Sequence, residues 1–166
     1  MLLNSTNANN TGLNGYWNTT NATSTVVYVG GNISHVNQSS NNYVMYNWIN
    51  VPGLQKFGKY SGNASADGPF IELGFRPALL WIKRSSDGSN GWHIADVKRS
   101  PENLAYEYLY ADTAGAEETN GSIDILSNGF KLRANAQTTN NNATYIYCAW
   151  AETPTQNLFG GQSNAR

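Results

Sequence analysis

Charge is what this sequence has least of. Only 13% of its 166 residues are Asp, Glu, Lys or Arg, against about 25% in ordinary soluble proteins. The balance is a net charge of −1. That excludes the basic face with which general nucleic-acid binders gather phosphates, and the polybasic patch of a membrane-surface protein. Cysteine is nearly absent as well. Cys148 stands alone, so no disulfide framework can form within the chain. No run approaches the roughly 18 apolar residues of a membrane-spanning helix. The opening MLLNSTNANN lacks the basic and apolar regions of a secretion signal.

The shortage of charge is uneven. Residues 1–50 contain no charged side chain, Lys56 is the first, and the same 50 residues hold 13 of the 24 asparagines. Disordered segments usually combine high charge with few aromatics. This stretch has Tyr16, Trp17, Tyr28, Tyr43, Tyr46 and Trp48. We therefore expect it to be folded and solvated through amides and hydroxyls, a surface suited to stacked assemblies or to sugars. The Asn-x-Ser/Thr sequons follow from the abundance of those three residues and do not argue for a glycoprotein.

Patterns that carry catalysis are also missing. Two distant histidines, His35 and His93, and one cysteine make no zinc spacing. The loops SADG (65–68) and SSDGSNG (85–91) hold one carboxylate each, where a calcium loop gathers several. Nothing selects a pair among the 11 acids for glycoside hydrolysis. There is no Gly-x-Ser-x-Gly elbow and no phosphate-cradling loop. We expect no catalytic residues, no metal and no cofactor.

What is present is an internal echo. YVMYNWINVPGLQKFG (43–58) matches YIYCAWAETPTQNLFG (145–160) at a constant offset of 102, pairing Tyr43 with Tyr145, Trp48 with Trp150, Pro52 with Pro154 and Phe57-Gly58 with Phe159-Gly160. Upstream, Val27-Tyr28-Val29 lies against Phe130-Lys131-Leu132. These matches predict about one and a half tandem repeats: 1–53 as the Asn-rich second half of a preceding copy, and 54–166 as a complete copy.

The complete copy reads as strands. FGKY (57–60), PFIELGF (69–75), ALLWIKR (78–84) and GWHIADVKR (91–99) are separated by Gly/Asn/Ser-rich turns; Pro69 suits a strand start. ALLWIKR is apolar enough to be covered on both faces. SIDIL-SNG-FKLRA (122–134) predicts a hairpin around Asn128-Gly129, residue types that tolerate the positive φ of tight turns. In TYIYCAWAE (144–152), Ile146, Cys148 and Trp150 share one face and Tyr145, Tyr147 and Ala149 the other. Segment 102–118 is a loop or a short helix. Many short strands with turns between them predict an all-β fold, an antiparallel β-sandwich or jelly roll. A half-copy would expose strand edges, so 1–53 is expected to pair with the complete copy or with another chain.

Aromatic side chains beside amides suit neutral glycans. Trp81 and Trp150 lie in the most apolar strands, where core packing is the simpler role. The candidate glycan-binding residues are Trp92 and His93 beside loop 85–91, with Lys83, Arg84 and Asp96 at adjoining strand ends. Ion pairs to Asp87 or Asp96 are the simpler role for the basic residues.

Taken in order, FGKYSGNASADGPFIELGFRPALLWIKR (57–84), GWHIADVKR (91–99), IDILSNGFKLRA (123–134) and TYIYCAWAE (144–152) resemble a repeated β-rich domain of marine bacteriophage virion proteins, of the tail-fibre-like or minor structural kind. Ala151-Glu152 leads to Thr153-Pro154-Thr155 where that domain often has Pro-Phe. The resemblance implies a virion location, other virion proteins as partners, self-association (trimers are usual in fibres) and contact with a host-surface glycan. It supplies no site residues. A stand-alone carbohydrate-binding module is the alternative.

Overall fold

The computed structural model describes residues 20–31, 36–88 and 90–154. Eight strands form: β1 (Gln55–Ser61), β2 (Phe70–Glu72), β3 (Pro77–Arg84), β4 (His93–Asp96), β5 (Leu109–Tyr110), β6 (Ile123–Leu126), β7 (Gly129–Leu132) and β8 (Thr144–Ala151). They build a five-stranded sheet, β1-β8-β3-β4-β5, and a three-stranded sheet, β2-β7-β6. All pairings within the sheets are antiparallel. The all-β antiparallel sandwich read from the alternation is the fold observed.

Period-two alternation decides which side chains enter the core. Along β8, Tyr145, Tyr147 and Ala149 point inward and are buried. Their neighbours across the sheet, Tyr60 on β1 and Leu80 and Ile82 on β3, point the same way. Ile71, Phe130, Leu132, Ile123 and Ile125 face them from the small sheet. Each fully buried Ile, Leu or Phe side chain contributes about 1.5–3 kcal/mol. At the centre, Tyr60 stacks on Tyr145 at 5.1 Å and meets Phe130 edge-on at 6.1 Å. Their hydroxyls are satisfied: Tyr60 donates to Thr139 O (2.6 Å) and Tyr145 to Gln137 O (2.9 Å).

Asparagine side chains finish the sandwich where strands end. Asn140 is fully buried. Its amide donates to Ser65 O (2.8 Å) and Ala134 O (3.0 Å), and its oxygen accepts from Asn63 N (2.9 Å). At the outer edge of β6, Asn103 accepts from Ile125 N (2.8 Å) and donates to Ile125 O (3.0 Å). It thus occupies the two groups that an added strand would use.

Two local expectations are corrected. Segment 102–118 contains no helix; it supplies β5 and single bridges from Ala105 to Ile123 and from Tyr108 to Glu118. Tyr106, Tyr108 and Tyr110 alternate as strand residues do, with Tyr108 buried and Tyr106 exposed. In the β6–β7 hairpin the turn residues are Ser127-Asn128, since Leu126 pairs with Gly129. Neither has a positive φ. Gly129 is needed for a different reason: a Cβ there would lie 2.1 Å from the carbonyl oxygen of Ile71 on β2.

The two matching segments differ locally where both are described. A second compact unit spans Asn10–Trp48. Its described residues contain no strand, and neither do residues 49 and 50. Local bonds hold it, such as Val26 N to Thr23 Oγ1 (3.0 Å) and Asn37 Nδ2 to Gly30 O (3.0 Å). Tyr145 is fully buried while its sequence counterpart Tyr43 is 42% exposed. Over these residues β8 is a strand with a neighbour on each side, and its counterpart 43–50 forms no strand. Residues 155–160, the counterparts of 53–58, lie outside the described residues.

If close approach of β2 is the constraint at Gly129, Gly129→Ala and Gly129→Asn should each cost about 1–3 kcal/mol in urea unfolding. A turn that needed positive φ would instead accept Asn nearly as well as Gly.

Candidate functional site

The outer face of the five-stranded sheet is apolar and half-buried. The same alternation that buries Tyr145 and Tyr147 sends Ile146, Cys148 and Trp150 outward from β8, beside Phe57 from β1 and Leu79 and Trp81 from β3. Four aromatic rings form a row across the strands. Phe57 meets Trp150 at 5.6 Å, Trp150 meets Trp81 at 5.6 Å and Trp81 meets Trp92 at 6.5 Å, all edge-to-face. Edge-to-face packing spends each ring face on its neighbour, so this row covers the sheet rather than offering a flat stacking platform. Burial pushes the Cys148 thiol up to about 11, which keeps it protonated and unreactive at neutral pH.

The five glycan candidates do not form one surface. Trp92 is 4% exposed at the end of the aromatic row, and its backbone N–H donates to Asp112 Oδ1 (2.9 Å). Lys83 is buried and its ammonium donates to Asn90 O. Burial lowers its pKa, opposed by Asp112 and Asp87. His93 opposes Ile82 in the β3–β4 ladder, so its side chain enters the core. There it stacks on Tyr108 at 4.1 Å, with the edge of Tyr110 at 6.4 Å. Trp92, Lys83 and His93 are thus corrected from surface candidates to packing residues. Arg84 pairs with Asp87 (2.5 Å), and Asp96 pairs with Arg99 (3.3 Å) while accepting from the N–H groups of Lys98 (3.0 Å) and Arg99 (2.8 Å). The ion-pair reading of these residues holds.

Two features escaped the sequence reading. One is an open depression of about 390 Å³ lined by residues of the 99–107 loop. Most of its polar groups are already engaged. Arg99 pairs with Asp96 and Glu117, and Ser100 Oγ accepts from Tyr106 N and Glu107 N (2.9 Å each). Tyr106, 52% exposed, is its one large ring. The other is the apolar stretch 43–49: Val44 is 80% exposed, Tyr46 76% and Ile49 73%. Its only signal in the sequence is seven residues without a charge, six of them apolar or aromatic. Among the described residues, no group of three His, Cys, Asp or Glu is placed to hold a metal ion.

A family described as a domain of unknown function, DUF7483, matches residues 1–154. The chain belongs to the DUF7483 family. No curated protein and no solved structure matches it. The DUF7483 match runs without a break across residue 53, and so takes in the exposed stretch, the sandwich and the depression together.

His93 gives this DUF7483 domain a pH dependence. Burial lowers its pKa from the ordinary 6.5 to about 3, so the folded chain holds it neutral while the unfolded chain protonates it below 6.5. Stability is therefore intact above 6.5 and falls as the pH drops toward 3, by up to about 1.4 kcal/mol per pH unit. Urea unfolding between pH 7 and 4 should show that slope, and His93→Leu should flatten it. An unchanged slope in the variant would place the titration elsewhere.

Proposed function

We propose that this chain is a non-catalytic assembly module of a bacteriophage virion, part of a tail fibre, an appendage or the capsid surface. It acts by joining other copies of itself and other virion proteins. The observation that carries this reading is the exposed stretch Val44–Ile49. Contiguous exposed apolar surface marks interaction sites in soluble proteins, and here it is concentrated in a few consecutive residues. The ordered motifs of residues 57–152 support the virion setting by resemblance. A trimer is expected by analogy with phage fibres.

A stand-alone carbohydrate-binding module is the second reading. The depression with Tyr106 favours it, since an exposed ring beside the Glu102 carboxylate suits a sugar. Selective binding on a glycan array, lost in Tyr106→Ala, would move the reading there. In the virion, the same depression would be the place for contact with a host glycan.

Sedimentation velocity on the full chain tests the assembly reading. Concentration-dependent association is expected. Val44→Asp with Ile49→Asp should abolish it while changing urea unfolding by no more than about 0.5 kcal/mol, as for exposed sites. A wild-type chain that stays monomeric at every concentration overturns the proposal.

A further inference from the structure

The exposed stretch is matched, in this fold, by an open strand edge. Alternate peptide groups of β1 face opposite ways. Leu54 O accepts from Ala151 N (2.8 Å) and Gly62 N donates to Ala143 O (2.9 Å), so even-numbered residues of this stretch bond toward β8. Odd-numbered residues face away. Gln55 exchanges bonds with Val51 (2.9 and 3.0 Å), and Phe57 N donates to Asn50 Oδ1 (2.8 Å). The peptide groups of Lys59 and Ser61 come next along the edge and meet no partner among the described residues.

The chain's own hairpin stops short of those groups for a visible reason. The Val51–Gln55 bridge would continue by pairing Ile49 with Phe57. Asn50 Oδ1 has taken the Phe57 N–H, and Gln55 Nε2 has taken Ile49 O (2.8 Å). Two polar side chains thus end the ladder after one rung, short of Lys59 and Ser61.

We propose that residues 43–49 of one copy add as a strand to the Lys59–Ser61 edge of β1 in a second copy. This inference rests on the assembly reading and names its contact. YVMYNW (43–48) shares its first Tyr and last Trp, with Val for Ile between them, with YIYCAW (145–150), the strand that β1 already accepts on its other side. Tyr46 and Trp48 stack at 6.2 Å, so two residues that would share a strand face already share a side. Charge selects the pairing. Two β1 edges brought together would set Lys59 near Lys59, and like charges across a ladder are destabilising. Residues 43–49 carry no charge and meet no such penalty. The contact joins two different surfaces, so it repeats around a ring or along a filament.

Hydrogen exchange on the full chain reads this directly. In dilute, dissociated protein the amides of Lys59 and Ser61 should exchange fast, while those of Gly58 and Tyr60, bonded to β8, exchange slowly. On association Lys59 and Ser61 should slow by about tenfold or more, restoring an even pattern along β1. Lys59→Pro removes an outward N–H without touching the β8 ladder and should weaken association by about tenfold, while Lys59→Ala should not. If the chain associates but the Lys59 and Ser61 amides stay fast, this contact is wrong and the assembly reading stands. If the chain never associates, both fall.

Discussion

The register of β8 governs this molecule. It lies between β1 and β3 in the larger sheet and carries two different apolar faces at once. Tyr145, Tyr147 and Ala149 close the core, while Ile146, Cys148 and Trp150 hold the outer row of aromatics. A slip of one residue would exchange those faces. It would drive Trp150 into the buried place of Ala149 and take the Tyr145 hydroxyl away from Gln137. Both neighbouring strands take their inward residues from this register, Tyr60 on one side and Ile82 on the other. The stack of Tyr60 on Tyr145 then sets where Phe130 and the small sheet can sit.

Strands were legible in the sequence wherever alternation was strong. The two faces of 144–152 follow from period two alone, and the strand at 78–84 from its nearly continuous apolar run. Period two also accounts for the β6–β7 hairpin, in which Phe130 and Leu132 enter the core while Lys131 and Arg133 reach Asp67 and Asp124. Contacts from distant residues were not legible. Gly129 looks like a turn residue because its neighbour is Asn; what demands glycine is the backbone of β2, over fifty residues earlier. His93 sits beside a polar loop in sequence, but its place in the β3–β4 ladder turns it inward. The likeness of 43–48 to β8 is real as chemistry and does not make a strand, because a strand also needs a neighbour.

The asparagines illustrate the same limit. Their abundance reads as solvated surface, and in the sandwich several serve otherwise. Asn140 ties the 63–65 loop to Ala134, Asn103 pairs with the edge of β6, and Asn50 takes one N–H from the edge of β1. Each side-chain amide presents a donor and an acceptor at the spacing of a peptide group, and so stands in for backbone where the chain supplies none. Composition counts such residues without saying which groups they meet.

The charge-free stretch has one more consequence. Up to Lys56 the chain offers dissolved ions nothing to screen, and bonds between peptide groups and apolar side chains are nearly indifferent to the Debye length. Sulfate-type salts, which tighten apolar burial, would if anything strengthen a contact made there. A joint built from this stretch would hold alike in dilute buffer and in brine.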